Sequence, residues 1–159
     1  MPSSRRSSRS VPAASTGLFA LLAVLALVAL AGCGSAAPSS GAVTVRDAWV
    51  RAPMGDMTAG YLVIENGTAT ADVLTSVTAP SGATVALHRT TTDPSGMTGM
   101  EPVDGIHVPA GGTVELAPGG FHMMIGGLPA TTKAGDHVEL HLVFEHAGTV
   151  VVQAEVRGS

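Results

Sequence analysis

The sequence predicts an all-β fold, a single domain built as a β-sandwich or barrel from short strands. Three observations carry that reading. After residue 41 no segment sustains a helical apolar period. Glycine and proline instead punctuate the chain about every eight to twelve residues, between runs rich in β-branched side chains, which is the pattern of sandwiches and barrels. Near the end, Val138, Leu140, Leu142 and Phe144 alternate with His137, Glu139, His141 and Val143. Successive side chains of a strand point to opposite faces, so this segment has one face in the core and one in solvent.

The elements follow in order. Residues 43–50 form the first expected strand and residues 61–65 the second, with a turn at Asn66-Gly67. Residues 72–78 and 84–89 are the next two, separated by a turn over 79–82. A polar loop over 90–96 leads to a strand around 97–103, and Asp104-Gly105 ends it. Residues 106–109 precede the turn 110–112 and a short strand over 113–116. Gly119-Gly120 and Gly126-Gly127 bracket the strand centred on 121–125, residues 128–135 form a loop, and strands over 137–145 and 149–156 close the domain.

The N-terminal part is of another kind. Arg5, Arg6 and Arg9 precede an apolar run of 14 residues, 18–31, followed by Gly32 and Cys33. A membrane-spanning helix needs roughly 20 apolar residues. A basic start, a short apolar core and small residues at its end instead describe a secretory signal. Leu30-Ala31-Gly32-Cys33 resembles the lipobox of bacterial lipoproteins, which implies that Cys33 is lipidated and becomes the first mature residue. Cys33 is the only cysteine in the chain, so it has no internal disulfide partner. The expected organisation is a signal peptide over 1–32, a lipidated Cys33 with a flexible small-residue tether through 42, and one domain over 43–157. The protein would be exported and held by its lipid alone on the outer face of a membrane, in a periplasm or at the cell surface.

From Cys33 onward five basic side chains face twelve acidic ones, a net charge of −7. Nucleic-acid binding needs a basic patch and often stacking aromatics, and both are lacking. No nucleophile–base pair stands out, so an enzyme is not expected.

The chemistry concentrates in Gly119 to Gly127, GGFHMMIGG. On a strand Phe121, Met123 and Ile125 share one face, and His122 and Met124 share the other. Met123 is then a core residue, whereas His122 and Met124 pair an imidazole with a thioether, a soft set suited to cuprous ion. Moving back from His122, 21 residues separate it from Met100, and eleven more separate Met100 from His88. The pattern His88, Met100, His122, Met124 resembles, position for position, the motif of the periplasmic copper chaperone family called PCuAC: His, an optional Met, ten residues, Met, 21 residues, His, any residue, Met. Arg89 holds the optional Met position. Asp47-Ala48-Trp49-Val50-Arg51-Ala52, IHVPAGGTVE over 106–115 and Leu116-Ala117-Pro118-Gly119-Gly120-Phe121-His122 also resemble family segments, so the likeness runs from about Val43 to Val156.

That resemblance implies a cupredoxin-like Greek-key sandwich or barrel, monomeric, binding one Cu(I) through His88, Met100, His122 and Met124. It further implies delivery of copper to another copper protein, a cytochrome c oxidase centre during assembly. The donor types agree with the metal. Neutral, polarisable thioethers favour Cu(I), structural zinc sites use thiolates and imidazoles, and a blue-copper centre needs a cysteine thiolate, while Cys33 lies at the tether. Two other readings remain: a copper-buffering or tolerance lipoprotein without delivery, and a structural β-sandwich lipoprotein without metal. His107, His137, His141 and His146 are read as surface residues. Met54, Met57 and Met97 are left open between packing and a secondary thioether cluster.

Overall fold

Ten strands account for nearly all of the regular structure in the computed structural model, which describes residues 40–79 and 82–158. They are β1 (Ser40–Arg51), β2 (Met57–Thr68), β3 (Asp72–Thr78), β4 (Thr84–Thr92), β5 (Thr98–Pro102), β6 (Ile106–Val108), β7 (Thr113–Leu116), β8 (Phe121–Gly126), β9 (His137–Phe144) and β10 (Gly148–Arg157). The expected signal segment, Cys33 and most of the tether lie outside the described residues, as do Pro80 and Ser81 of the β3–β4 turn.

The strands form one sheet in the order β5-β4-β8-β7-β2-β1-β10-β9-β3-β6, with β8 also pairing β2. The sheet is mixed: β1 runs parallel to β10 and β7 parallel to β8, and the remaining pairs are antiparallel. It curls into a half-barrel, so that β3 approaches β4 and β2 approaches β6, although neither pair is adjacent in the order. Curling brings one face of nearly every strand into a common core. Leu62, Ile64, Leu74, Ile106, Leu116, Met123, Ile125, Leu140 and Leu142 are all buried there. Burying such side chains contributes roughly 1.5–3 kcal/mol each relative to leaving them in water. In β9 the expected alternation holds, with Val138, Leu140, Leu142 and Phe144 inside.

Two expected turns are displaced. Asn66-Gly67 lies within β2, which continues to Thr68. The Asn66 side chain is buried and fully used: its amide nitrogen donates to the carbonyls of Thr70 and Val108, and its oxygen accepts from the Thr68 amide and hydroxyl. Those bonds move the turn to the residues after Thr68. Likewise Thr90–Thr92, expected in a loop, extend β4 because β5 pairs with them as an edge hairpin. The hairpin turn is closed by Asp93, whose carboxylate accepts from Ser95 and from the Met97 amide.

At the far side of the sheet Asp72 clamps the β9–β10 turn to β3. It is 3% exposed, and its oxygens accept from the amides of Val73 (2.8 Å), His146 (3.0 Å) and Ala147 (2.8 Å) and from the His146 ring. Burial alone would push this carboxyl up. The amides of His146, Val73 and Ala147 and the His146 ring together outweigh burial and hold it below its ordinary value.

Candidate metal centre

Strand β8 positions the candidate residues by simple parity. Met123 and Ile125 point into the core at 0% exposure, and Phe121 packs against the same cluster. His122 and Met124 therefore emerge on the other face. The strand begins and ends where Gly119 (φ 83°) and Gly127 (φ 76°) adopt left-handed backbone, which glycine takes without steric cost.

Register then assembles the face. In the β4–β8 ladder His88 lies opposite His122, Leu87 opposite Met123 and Ala86 opposite Met124. Directly opposed side chains share a face with Cβ atoms about 4.5–5.5 Å apart, and the two imidazole centroids are 5.9 Å apart. Met124, two residues from His122 and diagonal to His88, adjoins the pair on one side. Met100 approaches from the other side: in the β4–β5 ladder it faces Thr90, two residues beyond His88. That diagonal, about 7–8 Å, is within reach of a long side chain.

The structure therefore puts all four sequence-predicted residues on one face and brings His88, His122 and Met124 together as neighbours. Met100 stays at the sheet edge, 61% exposed. Both histidines sit within strands, and His122 is only 4% exposed, because β4 and β8 are adjacent interior strands of the sheet.

The hydrogen bonding of the pair is informative. A carbonyl can only accept, so at 3.1 Å the Nδ1–H of His122 donates to the Gly120 oxygen. In the neutral ring this leaves the lone pair on Nε2. Among the described residues the buried side-chain nitrogens and oxygens without a hydrogen-bond partner are His122 Nε2 and His88 Nδ1. Buried polar groups are rarely left unpaired, and two such atoms on facing imidazoles fit a ligand that takes lone pairs. A ligating histidine commonly fixes its tautomer by donating its other nitrogen to a carbonyl, as His122 does. The Gly120 carbonyl also accepts the Thr90 amide at 3.0 Å, which ties the supporting oxygen to β4. Sequence reasoning did not identify Gly120, and no spacing signal marks a backbone carbonyl.

No three His, Cys, Asp or Glu side chains converge among the described residues. A metal at the imidazole pair would have to complete its shell from thioethers or solvent, and the nearby donors are Met124 and Met100. The other histidines lie elsewhere. His107 is exposed on β6, at the opposite edge of the sheet from β5. His137 is exposed on β9, whereas His141 is half-buried and bonds Glu139 at 2.9 Å. His146 faces Asp72. Met97, 71% exposed, precedes β5.

Comparison with known proteins identifies the family and the fold. Residues 43–156 match the LpqE-like family of lipoproteins. "Putative lipoprotein Lxx21020" of Leifsonia xyli subsp. xyli is 32% identical over 139 residues, covering 82% of this chain and 84% of the relative. The copper-bound PCuAC domain from PmoF2 superimposes with a TM-score of 0.62 at 26% identity, over 75% of this chain and 95% of the domain. The apo PCuAC domain from PmoF1 gives 0.64 at 26% identity, over 75% and 96%. The solution structure of apo-DR1885 from Deinococcus radiodurans gives 0.56 at 28% identity, over 100% and 95%. The half-barrel is thus the PCuAC domain fold.

Proposed function

We propose, for a chain that belongs to the LpqE-like family of lipoproteins, that it binds Cu(I) outside the cell membrane and carries it to another protein. The observation that carries this reading is the facing pair His88 and His122, each with a buried ring nitrogen lacking a partner, on the same sheet face as Met124 and Met100. Two imidazoles and two thioethers are neutral donors. They match a soft monovalent ion and leave the loaded site with the charge of the ion alone. Similarity to a copper-bound PCuAC domain supports the choice of metal.

The same geometry suits a carrier. His88, His122 and Met124 form the seated part of the site, and Met100 at the exposed edge is the donor a recipient can replace. Ligand exchange would begin there: an incoming thiolate or imidazole bonds the ion as the Met100 thioether leaves, with no change in oxidation state. By resemblance to the PCuAC family the recipient is a cytochrome c oxidase copper centre. Cys33, lipidated after cleavage at residue 32, would hold the domain at the outer membrane face through the tether. Labelled palmitate incorporation that disappears in Cys33→Ser tests the anchor.

Delivery is separated from buffering by a transfer assay. Carrier function predicts that apo recipient domain acquires copper from the loaded protein faster than from a Cu(I) chelate of equal affinity. Equal rates would leave a buffering protein. Absence of stoichiometric Cu(I) binding, or binding unchanged by His122→Ala with Met124→Ala, would remove the site altogether.

A further inference from the structure

A second group of thioethers lies beside the first, on the same face of the sheet. Strand β2 pairs with β8 so that Met57 faces Gly126 and Ala59 faces Met124. Met57 therefore projects on the His122–Met124 face. Its sulfur lies over Gly126: a Cβ built on that glycine would meet Met57 Sδ at 2.6 Å and Thr84 Oγ1 at 3.0 Å. The absence of a side chain at 126 thus lets the thioether lie across β8, two residues along from Met124. Met54, in the β1–β2 connection, Met57 and Met124 line one open groove of about 290 Å³ with Ala59, Thr58, Ala52 and Arg51.

Burial in the core does not account for these methionines. Met57 is 52% and Met54 87% exposed, whereas a buried methionine would contribute roughly 1.5–3 kcal/mol of hydrophobic stabilisation. Of the five large apolar side chains most exposed among the described residues, four are methionines: Met54, Met57, Met97 and Met100. What distinguishes methionine from leucine at such positions is the soft donor sulfur.

We propose that Met54, Met57 and Met124 form a second, thioether-only position for a monovalent soft ion such as Cu(I), adjoining the histidine pair and sharing Met124 with it. Arg51 lines the same groove, and its charge makes this the weaker of the two positions. Sharing Met124 permits passage between them: the ion keeps its bond to Met124 while bonds to Met57 and Met54 break and bonds to His88 and His122 form. The ion remains monovalent and no electron moves. The proposal extends the copper reading above, yet the groove is formed without either histidine, so the two can fail separately.

The test uses the full chain carrying Cys33→Ser, so that no thiolate competes, with methyl-labelled methionine and Ag(I) as a redox-inert surrogate for Cu(I). The parent protein is expected to take two equivalents. His88 and His122 ring resonances respond to the first, and the Met54 and Met57 methyl resonances to the second. The Met54→Leu/Met57→Leu chain should take one equivalent, read at the histidine rings. The His88→Ala/His122→Ala chain should still take one, read at the Met57 methyl. A parent that saturates at one equivalent, a leucine variant that still takes two, or a Met57 methyl unmoved in every protein would overturn the second position. A histidine ring that never responds while the Met57 methyl does would instead sink the first site and leave the second.

Discussion

Replacing His122 by leucine separates a binding site from a core residue. In the apo protein His122 Nε2 is buried without a partner, an arrangement that costs about 1–3 kcal/mol. Leucine fills a similar volume with no polar atom and relieves that cost. It also removes the Nδ1–Gly120 hydrogen bond, worth about 0.5–1.5 kcal/mol; the Gly120 oxygen keeps the Thr90 amide. The difference places the apo variant between about 0.5 kcal/mol less stable and about 2.5 kcal/mol more stable than the parent, a gain of at most about 10 °C in Tm at roughly 4 °C per kcal/mol for a domain of this size. The metal response runs the other way. At a free-ion level a hundredfold above Kd the parent should gain about 2.7 kcal/mol, and His122→Leu should gain almost none. Urea denaturation and thermal melts of the Cys33→Ser chain, with and without buffered Cu(I), read both quantities. Apo destabilisation by more than about 2 kcal/mol would make His122 a core residue with no binding role. A copper-linked rise in Tm that survives the substitution would refute the assignment of the site.

Three further outcomes follow from the same structure. Met100→Leu at an exposed edge should change apo stability by less than about 0.5 kcal/mol while weakening Cu(I) in a chelator competition, so an unchanged affinity would remove Met100 from the shell. Asp72→Asn should lose about 2–3 kcal/mol near neutral pH, because the amide keeps one acceptor where the carboxylate serves several donors. The folded carboxyl lies below its ordinary value of 3.8, so its contribution is complete above that value and is lost as pH falls through the folded value. Urea melts across pH should therefore show the gap between parent and variant closing only below about pH 4. Gly60→Ala would place a Cβ 2.9 Å from Met123 Cε and 3.0 Å from Ile125 Cδ1. Overpacking there should cost about 1–3 kcal/mol in denaturant, and a neutral result would show that the wall beneath β8 yields easily.

The parts of this protein that depend on local rules were legible before any coordinates. Alternation along a strand needs no knowledge of neighbours, so Met123 and the inward residues of β9 were assigned correctly to the core. His88, Met100, His122 and Met124 were marked by resemblance to a family motif, and the strand register places them on one face of the sheet. What could not be read was set by pairing over long separations. That β4 lies beside β8 with His88 opposite His122 depends on how the whole sheet curls, and with it came the burial of His122. Asn66 illustrates the opposite failure: an Asn-Gly pair signals a turn by composition, yet contacts to Thr70 and to Val108, 42 residues away, made it part of a strand. The groove over Gly126 was equally hidden, because nothing in the sequence places β2 against β8.

The measurement that bears most directly on the account is the copper absorption edge and its fine structure, recorded on the Cys33→Ser chain loaded with one equivalent of Cu(I). The account predicts two nitrogen and two sulfur neighbours. One sulfur should be lost in each of Met100→Leu and Met124→Leu, and both in the double variant. A shell without sulfur, or one whose sulfur count is the same in the double variant, would contradict it.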